Sequence, residues 1–259
     1  MNNPHCIGRR PIPAFTLVEL LTVIGIIGIL AALLMTVLVH MKIEGQKTQA
    51  KTEIAEIVAA INGYETDYGR FPISAAEQTA AGTNDITIGL VSGFGPGAGA
   101  HGWSFDNNSN MVAILADLTT FPNGVTTVNA GHVKNTKQTK YLTPKFSGYD
   151  PATADPNPPP GVDNTGVYRD PWGKPYVITV DLSGDDECSD LLYSLASVSQ
   201  PSSGGSAGIN GLANPNLSTN PDNFLFHGRV MVWSAGPDRQ YSPTDKANAG
   251  VNKDNLVSW

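Results

Sequence analysis

Between residues 15 and 39 the sequence FTLVELLTVIGIIGILAALLMTVLV is apolar, Gly or Thr at every position but one, Glu19. Twenty-five residues of α-helix rise about 37 Å, more than the roughly 30 Å hydrocarbon core of a bilayer. Beyond Val39 the apolar positions thin to a stripe at helical spacing: Ala50, Ile54, Ile57, Val58, Ile61, Tyr64 and Tyr68. Lys47, Lys51, Glu53, Glu56 and Asp67 fill the other side. The pattern predicts one helix from about Thr16 to about Tyr68, apolar all round at first and amphipathic afterwards. Gly69 and Pro72 end it, and Gly25, Gly28 and Gly45 are weak points within it. A coiled-coil stalk is the other reading of the second half, although Asn62-Gly63 interrupts it.

The remaining chain shows shorter signals. NMVAILADL (residues 110–118) carries a helical stripe, and KYLTP (140–144) reads as a strand end or a loop anchor. PATADPNPPPG (151–161) is a loop because repeated proline removes backbone donors. YVITVD (176–181) and RVMVWS (229–234) alternate in the manner of strands. Between them, residues 185–188 and 202–221 are polar excursions. The fold expected is α+β: a long N-terminal helix packed on a small antiparallel sheet, with large loop insertions.

Composition narrows the function. Gly (27) and Pro (19) are frequent, so loops and turns occupy much of the chain. The net charge of −7 gives no basic face to replace phosphate counterions, so nucleic acid is not a primary partner. Arg9 and Arg10 precede the apolar run and few charges follow it closely. The positive-inside rule then keeps residues 1–14 cytoplasmic and sends the rest across. A secretory signal has a shorter apolar region with its cleavage site after it, whereas Ala31-Ala32 lie inside this one. A plain signal anchor explains the length and the arginines but leaves Glu19 unexplained. A carboxylate at mid-membrane costs about 2.5–3.5 kcal/mol, and less near a helix start.

The octapeptide Ala14-Phe15-Thr16-Leu17-Val18-Glu19-Leu20-Leu21 resembles the processing site of type IV prepilins and of type II secretion pseudopilins. The resemblance implies that a prepilin peptidase cuts between Ala14 and Phe15 and that the new Phe15 amine is methylated. Residues 1–14 would then be a leader, 15–39 a transmembrane and filament-core helix, and 40–72 its amphipathic continuation. Residues 73–259 would be an extracytoplasmic globular domain with a variable insertion over 73–165. That family usually has Gly before the cut, so Ala14 predicts slower or tolerant processing. Loss of the leader would move the side-chain balance from −7 to −9 and leave Cys188 without Cys6, so no intrachain disulfide could form. A free amine inside a filament needs a counter-charge, and Glu19 of a neighbouring subunit supplies it and sets the register between helices.

Two further segments extend the resemblance to the major pseudopilins. Tyr64-Glu65-Thr66-Asp67-Tyr68-Gly69-Arg70-Phe71-Pro72 is similar to their Y-x-x-D-x-G-x-[FY]-P helix end. Asp170-Pro171-Trp172-Gly173-Lys174-Pro175-Tyr176 is similar to their D-P-W-G-x-P-Y turn, in which Trp172 packs under the loop rather than binding a ligand. The implied role is a structural subunit of a type II secretion pseudopilus. Its partners would be its own copies, the prepilin peptidase, the inner-membrane assembly platform and minor pseudopilins. The implied location is the inner membrane, single-pass with the N-terminus cytoplasmic and the C-terminal domain periplasmic, and then a periplasmic filament. A type IV pilus subunit or minor pilin for adhesion, motility or DNA uptake is the alternative.

The corresponding loop of that family often binds calcium, which makes Asp238, Asp245 and Asp254 the candidates here. Ca²⁺ takes six to eight oxygens and can order a Gly/Asn-rich loop, but no EF-hand spacing is present. Arg239 stands where the family tends to have Gly, and Lys246 and Lys253 lie nearby. A solvated acidic loop closed by Trp259 is the competing reading. A membrane-anchored enzyme would have to draw on His40, His101, His132 or His227, yet H-E-x-x-H and paired-carboxylate motifs are missing from the sequence, and its G-x-S-x-G match, residues 204–208, falls within the polar 202–221 excursion. No enzymatic activity is expected.

Overall fold

The computed structural model describes residues 16–90, 103–105 and 107–259. Ala14, Phe15, the leader 1–14 and His101 lie outside the described residues. The fold is α+β. In chain order its elements are α1 (Leu17–Tyr68), α2 (Ala75–Ala81), β1 (Ile86–Ile88), β2 (Trp103–Phe105), α3 (Ser109–Leu115), β3 (Gly161–Val162), β4 (Tyr168–Arg169), β5 (Val177–Val180), β6 (Glu187–Cys188), α4 (Ala196–Ser199), β7 (Phe226–His227), β8 (Val230–Ser234) and β9 (Leu256–Val257). Two compact units divide the chain, one up to Glu44 and one from Gly45 to Trp259.

In the first unit every described apolar side chain from Leu17 to Leu34 is exposed. Burial cannot account for this stretch; only an apolar environment outside the unit can. In the second unit the predicted stripe is found buried. Ala50, Ile54, Ile57, Ile61 and Tyr64 are in the core, and Val58 and Tyr68 pack against it. At the end of α1, Gly69 has φ +64° and donates its N–H to the Glu65 carbonyl at 2.7 Å. That left-handed closure suits glycine because a Cβ would be strained there.

The main sheet has the order β2-β1-β5-β8-β9. Its pairs are antiparallel except β1–β2, which is parallel. Because successive side chains alternate between faces, β5 and β8 serve two cores at once. Ile178, Val180, Val230 and Val232 join the cluster around α1. Val177, Met231 and Trp233 join a second cluster with Leu191, Leu192, Tyr193 and Phe224. The cover of the sheet's far face therefore comes mainly from residues 191–198 between the two polar excursions, and from Phe224 just after the second. The segment 73–165 also contributes more than its composition suggests. It supplies β1 to the sheet interior, and its α3 packs Met111, Val112, Ile114 and Leu115 into the α1 cluster.

The two turn motifs clamp the amphipathic half of α1. Tyr64 donates its hydroxyl to the Lys134 carbonyl (2.7 Å) and stacks on Tyr68, with ring centroids 4.4 Å apart. Asp67 receives the Tyr141 hydroxyl (2.5 Å) and pairs with Lys137 (2.8 Å). In the second motif, Asp170 Oδ1 accepts the backbone N–H groups of Trp172 and Lys174, while Oδ2 accepts the Ser234 hydroxyl at 2.6 Å. Burial pushes the Asp170 carboxyl up to about 6, against the pull of those hydrogen bonds. Gln46 donates to the Pro171 carbonyl (3.1 Å), and Tyr176 donates to Glu53 (2.5 Å). Trp172 is half-buried. Arg229 pairs with Glu65, Asp181 and Asp186 and lies 5.0 Å from the Phe71 ring, which ties the end of α1 to the sheet.

Candidate assembly segment and candidate cation loop

The first candidate site is the start of α1. Thr16 donates its backbone N–H (2.9 Å) and its hydroxyl (2.7 Å) to Glu19 Oε2, and Glu19 N–H returns a bond to the Thr16 hydroxyl oxygen (3.3 Å). This is a reciprocal capping box, with Thr at the N-cap and Glu three residues on. It gives Glu19 a local duty that the sequence reading overlooked, although the T-x-x-E spacing signals it. The carboxylate holds the first turn of the helix and also places a negative charge beside the helix N-terminus, where the macrodipole favours it. α1 is long and apolar enough to cross a membrane.

The second candidate site is the loop after β8. Gly236 (φ +69°) turns the chain so closely against residue 254 that a Cβ would lie 2.2 Å from the Asp254 carbonyl oxygen. Asp238 N–H reaches Asp254 Oδ2 at 3.3 Å. Burial, with Asp254 adding its charge, raises the Asp238 carboxyl above the ordinary range. Asp254 Oδ1 and Asn255 Oδ1 are buried acceptors without a donor among the described residues. Asp245 has a different task. Its carboxylate accepts the Val251 N–H (3.1 Å), and its carbonyl accepts from Asn252 (2.7 Å), so it organises the 245–252 turn.

Of the neighbouring cations, Lys253 acts on Asp238 and offsets part of that rise, while Arg239 and Lys246 are engaged elsewhere. Arg239 has φ +63°, the left-handed conformation that suits glycine, and donates to Asn157 and to the Pro156 carbonyl, both at 2.8 Å. Lys246 donates to the Ala196 carbonyl (2.9 Å). Trp259 packs back on Tyr193, with ring centroids 5.1 Å apart. Among the described residues no three His, Cys, Asp or Glu side chains converge to hold a metal ion. A calcium ion here would therefore have to lean on Asp238, Asp254, Asn255 and backbone carbonyls, a hard-oxygen set of the kind it accepts.

Of the histidines named above, His132 is bonded to Asp117 (2.7 Å) and His227 lies 3.3 Å from Glu187. His40 is on the exposed part of α1.

Among the described residues, the fold and these segments define an α+β protein whose helix α1 is exposed and apolar over its first half and competent there to cross a membrane. Comparison with protein-family models, curated proteins and solved structures gives no match for this chain.

Proposed function

We propose that this chain is a filament subunit of the type IV pilin class, nearest to the major subunit of a type II secretion pseudopilus. The observation that carries the reading is the exposed apolar run of α1, whose single carboxylate sits at its start within Phe15-Thr16-Leu17-Val18-Glu19-Leu20-Leu21. Such a helix has two stable homes, a bilayer before assembly and a bundle of like helices afterwards. The clamps from Asp170, Glu53 and Asp67 support the same reading, because a stalk helix fixed to its domain transmits subunit packing to the sheet. The chain would stand in the inner membrane with its C-terminal domain periplasmic, be clipped between Ala14 and Phe15 by a prepilin peptidase, and then enter a periplasmic filament. Mass spectrometry of sheared filaments tests this. The expected N-terminus is methylated Phe15, and a protein that keeps its first 14 residues and stays monomeric overturns it.

Calcium belongs to this reading as an ordering ion for the loop between Gly236 and Asn255. The two donorless acceptors, Asp254 Oδ1 and Asn255 Oδ1, support it. Saturation a hundredfold above the dissociation constant stabilises by about 2.7 kcal/mol, a melting shift of roughly 5–10 °C for a domain of this size. Thermal melts of the full chain in detergent with 1 mM calcium or with chelator should differ by about that much, and Asp254→Asn should abolish the difference. Identical melts with and without calcium refute it.

A further inference from the structure

The loops at the two ends of the main sheet carry opposite charge. β5 and β8 run antiparallel, with Val177 opposite Trp233 and Val180 opposite Val230. The segment entering β5 and the segment leaving β8 therefore lie at one end. The segment leaving β5 and the segment entering β8 lie at the other.

At the first end a cleft of about 340 Å³ is lined by Arg169, Lys174 and Arg239, with Asp155 the one acid among the lining residues. Arg169 is matched, because it pairs with the enclosed Asp163 carboxylate at 2.9 Å. Arg239 meets only neutral oxygens, Asn157 Oδ1 and the Pro156 carbonyl, which leaves three of its five N–H donors. Lys174 is half-buried, and its ammonium has no hydrogen bond or ion pair among the described residues. The walls are stiff. Pro156 and Pro158 line the cleft, and a Cβ on Gly173 would lie 2.3 Å from the Pro158 carbonyl oxygen. Two cations without a carboxylate, on a preformed rim of a chain with net charge −7, call for an anionic partner.

At the other end, the loop from β5 into β6 carries Asp185, Asp186 and Glu187. Arg229 takes up Asp186, together with Asp181 and Glu65. Asp185 is exposed, and its carboxylate accepts the Glu187 N–H of its own loop. The two ends cannot serve each other within one chain. Gln46 of α1 donates to the Pro171 carbonyl, three residues from Lys174, whereas Glu65 meets Arg229 beside the acidic loop. Gln46 and Glu65 are about 28 Å apart along the helix.

An acidic loop alone would simply be solvated; here a basic cleft of matching charge stands at the far end of the same molecule. We infer that the cleft lined by Arg169, Lys174 and Arg239 docks the 185–187 loop of a second copy of this chain, head to tail. A contact between two different patches repeats without a built-in stop unless it closes into a ring, so it propagates a filament. The inference deepens the filament reading and rests on it for the choice of a second copy as partner. Exposed charge pairs are screened by salt, so the contact sets orientation and axial register while the apolar helices supply most of the affinity.

Zero-length cross-linking of the full chain in its membrane tests it. A carbodiimide joins an ammonium to a carboxylate in contact with it. The expected product is a covalent dimer whose linked peptides join Lys174 to Asp185, Asp186 or Glu187. Charge reversal is the second arm. Lys174→Glu/Arg239→Glu and Asp185→Lys/Glu187→Lys should each lower sheared-filament yield at least about tenfold. Co-expressing the two variants should restore it, because reversed cleft then meets reversed loop and native cleft meets native loop. That rescue also shows that both variants fold. A wild-type cross-link without filaments keeps the docking contact and removes the filament reading. Filaments that lack the cross-link, or reversal variants that assemble like wild type, overturn the inference and leave the filament reading standing. Losses that co-expression leaves unrepaired, in variants folded by circular dichroism, assign the cleft to a different acidic partner and overturn it too.

Discussion

Glu19→Ala should leave the chain inserted in the membrane and almost eliminate filaments. Removing a carboxylate from an apolar helix lowers the cost of insertion, so the variant loses nothing at that stage. Assembly is different. If the Phe15 amine is buried in a filament core, deleting its counter-charge leaves an unpaired ion, a penalty of about 3–5 kcal/mol per contact. That lowers each subunit–subunit equilibrium by at least roughly a hundredfold. The capping box adds a complication, because Glu19 also holds the Thr16 N–H and hydroxyl. Thr16→Ala is the control. It breaks the cap, worth about 1 kcal/mol, and keeps the carboxylate. Sheared-filament yield should collapse in Glu19→Ala and stay near normal in Thr16→Ala, with both proteins present in the membrane fraction. Equal losses in the two variants would reduce Glu19 to a helix cap, and normal filaments from Glu19→Ala would remove the pairing altogether.

The largest stability effect is expected at Asp190. Its carboxylate is wholly enclosed and collects four donors: the Thr179 hydroxyl (2.7 Å), the Trp233 indole N–H (3.0 Å), and the backbone N–H groups of Leu192 and Tyr193 (both 2.9 Å). Burial pushes its pKa up while these donors pull it down, and burial prevails. The site joins β5, β8 and the segment that covers the far face of the sheet, so it acts as a rivet between layers. Asp190→Ala strands several buried donors, each costing about 1–3 kcal/mol. With partial relaxation the loss should be about 3–5 kcal/mol, or a melting temperature lower by roughly 10 °C. Asp190→Asn keeps one acceptor oxygen and should lose about half as much. Urea unfolding of the three proteins in the same detergent measures this. A loss below about 1 kcal/mol for Asp190→Ala would mean that water replaces the carboxylate without penalty.

Local pattern was enough to recover α1, because a helix writes its environment into consecutive residues. Leu17 to Leu34 face outward on all sides, and Ala50, Ile54, Ile57, Ile61 and Tyr64 are buried at helical spacing. β5 and β8 were readable for the same reason, as was the closing role of Gly69. The Thr16–Glu19 cap was equally local and went unread beside the assembly role assigned to Glu19. β1 gave no comparable signal. Its three residues, Ile86-Thr87-Ile88, sit in a Gly- and Thr-rich stretch, and their place in the sheet comes from pairing with β5, some ninety residues away.

The candidate sites divide along the same line. The residues 15–21 motif and the membrane-length helix are properties of neighbouring residues, so the chain alone specified them. That Asp238 and Asp254 meet while Asp245 holds a separate turn was settled only by the fold. So was the gathering of Arg169, Lys174 and Arg239 at one cleft. Periodicity records which face of an element must avoid water. Which polar group satisfies which across a hundred residues depends on how the loops close, and loop closure leaves no periodic trace in the sequence.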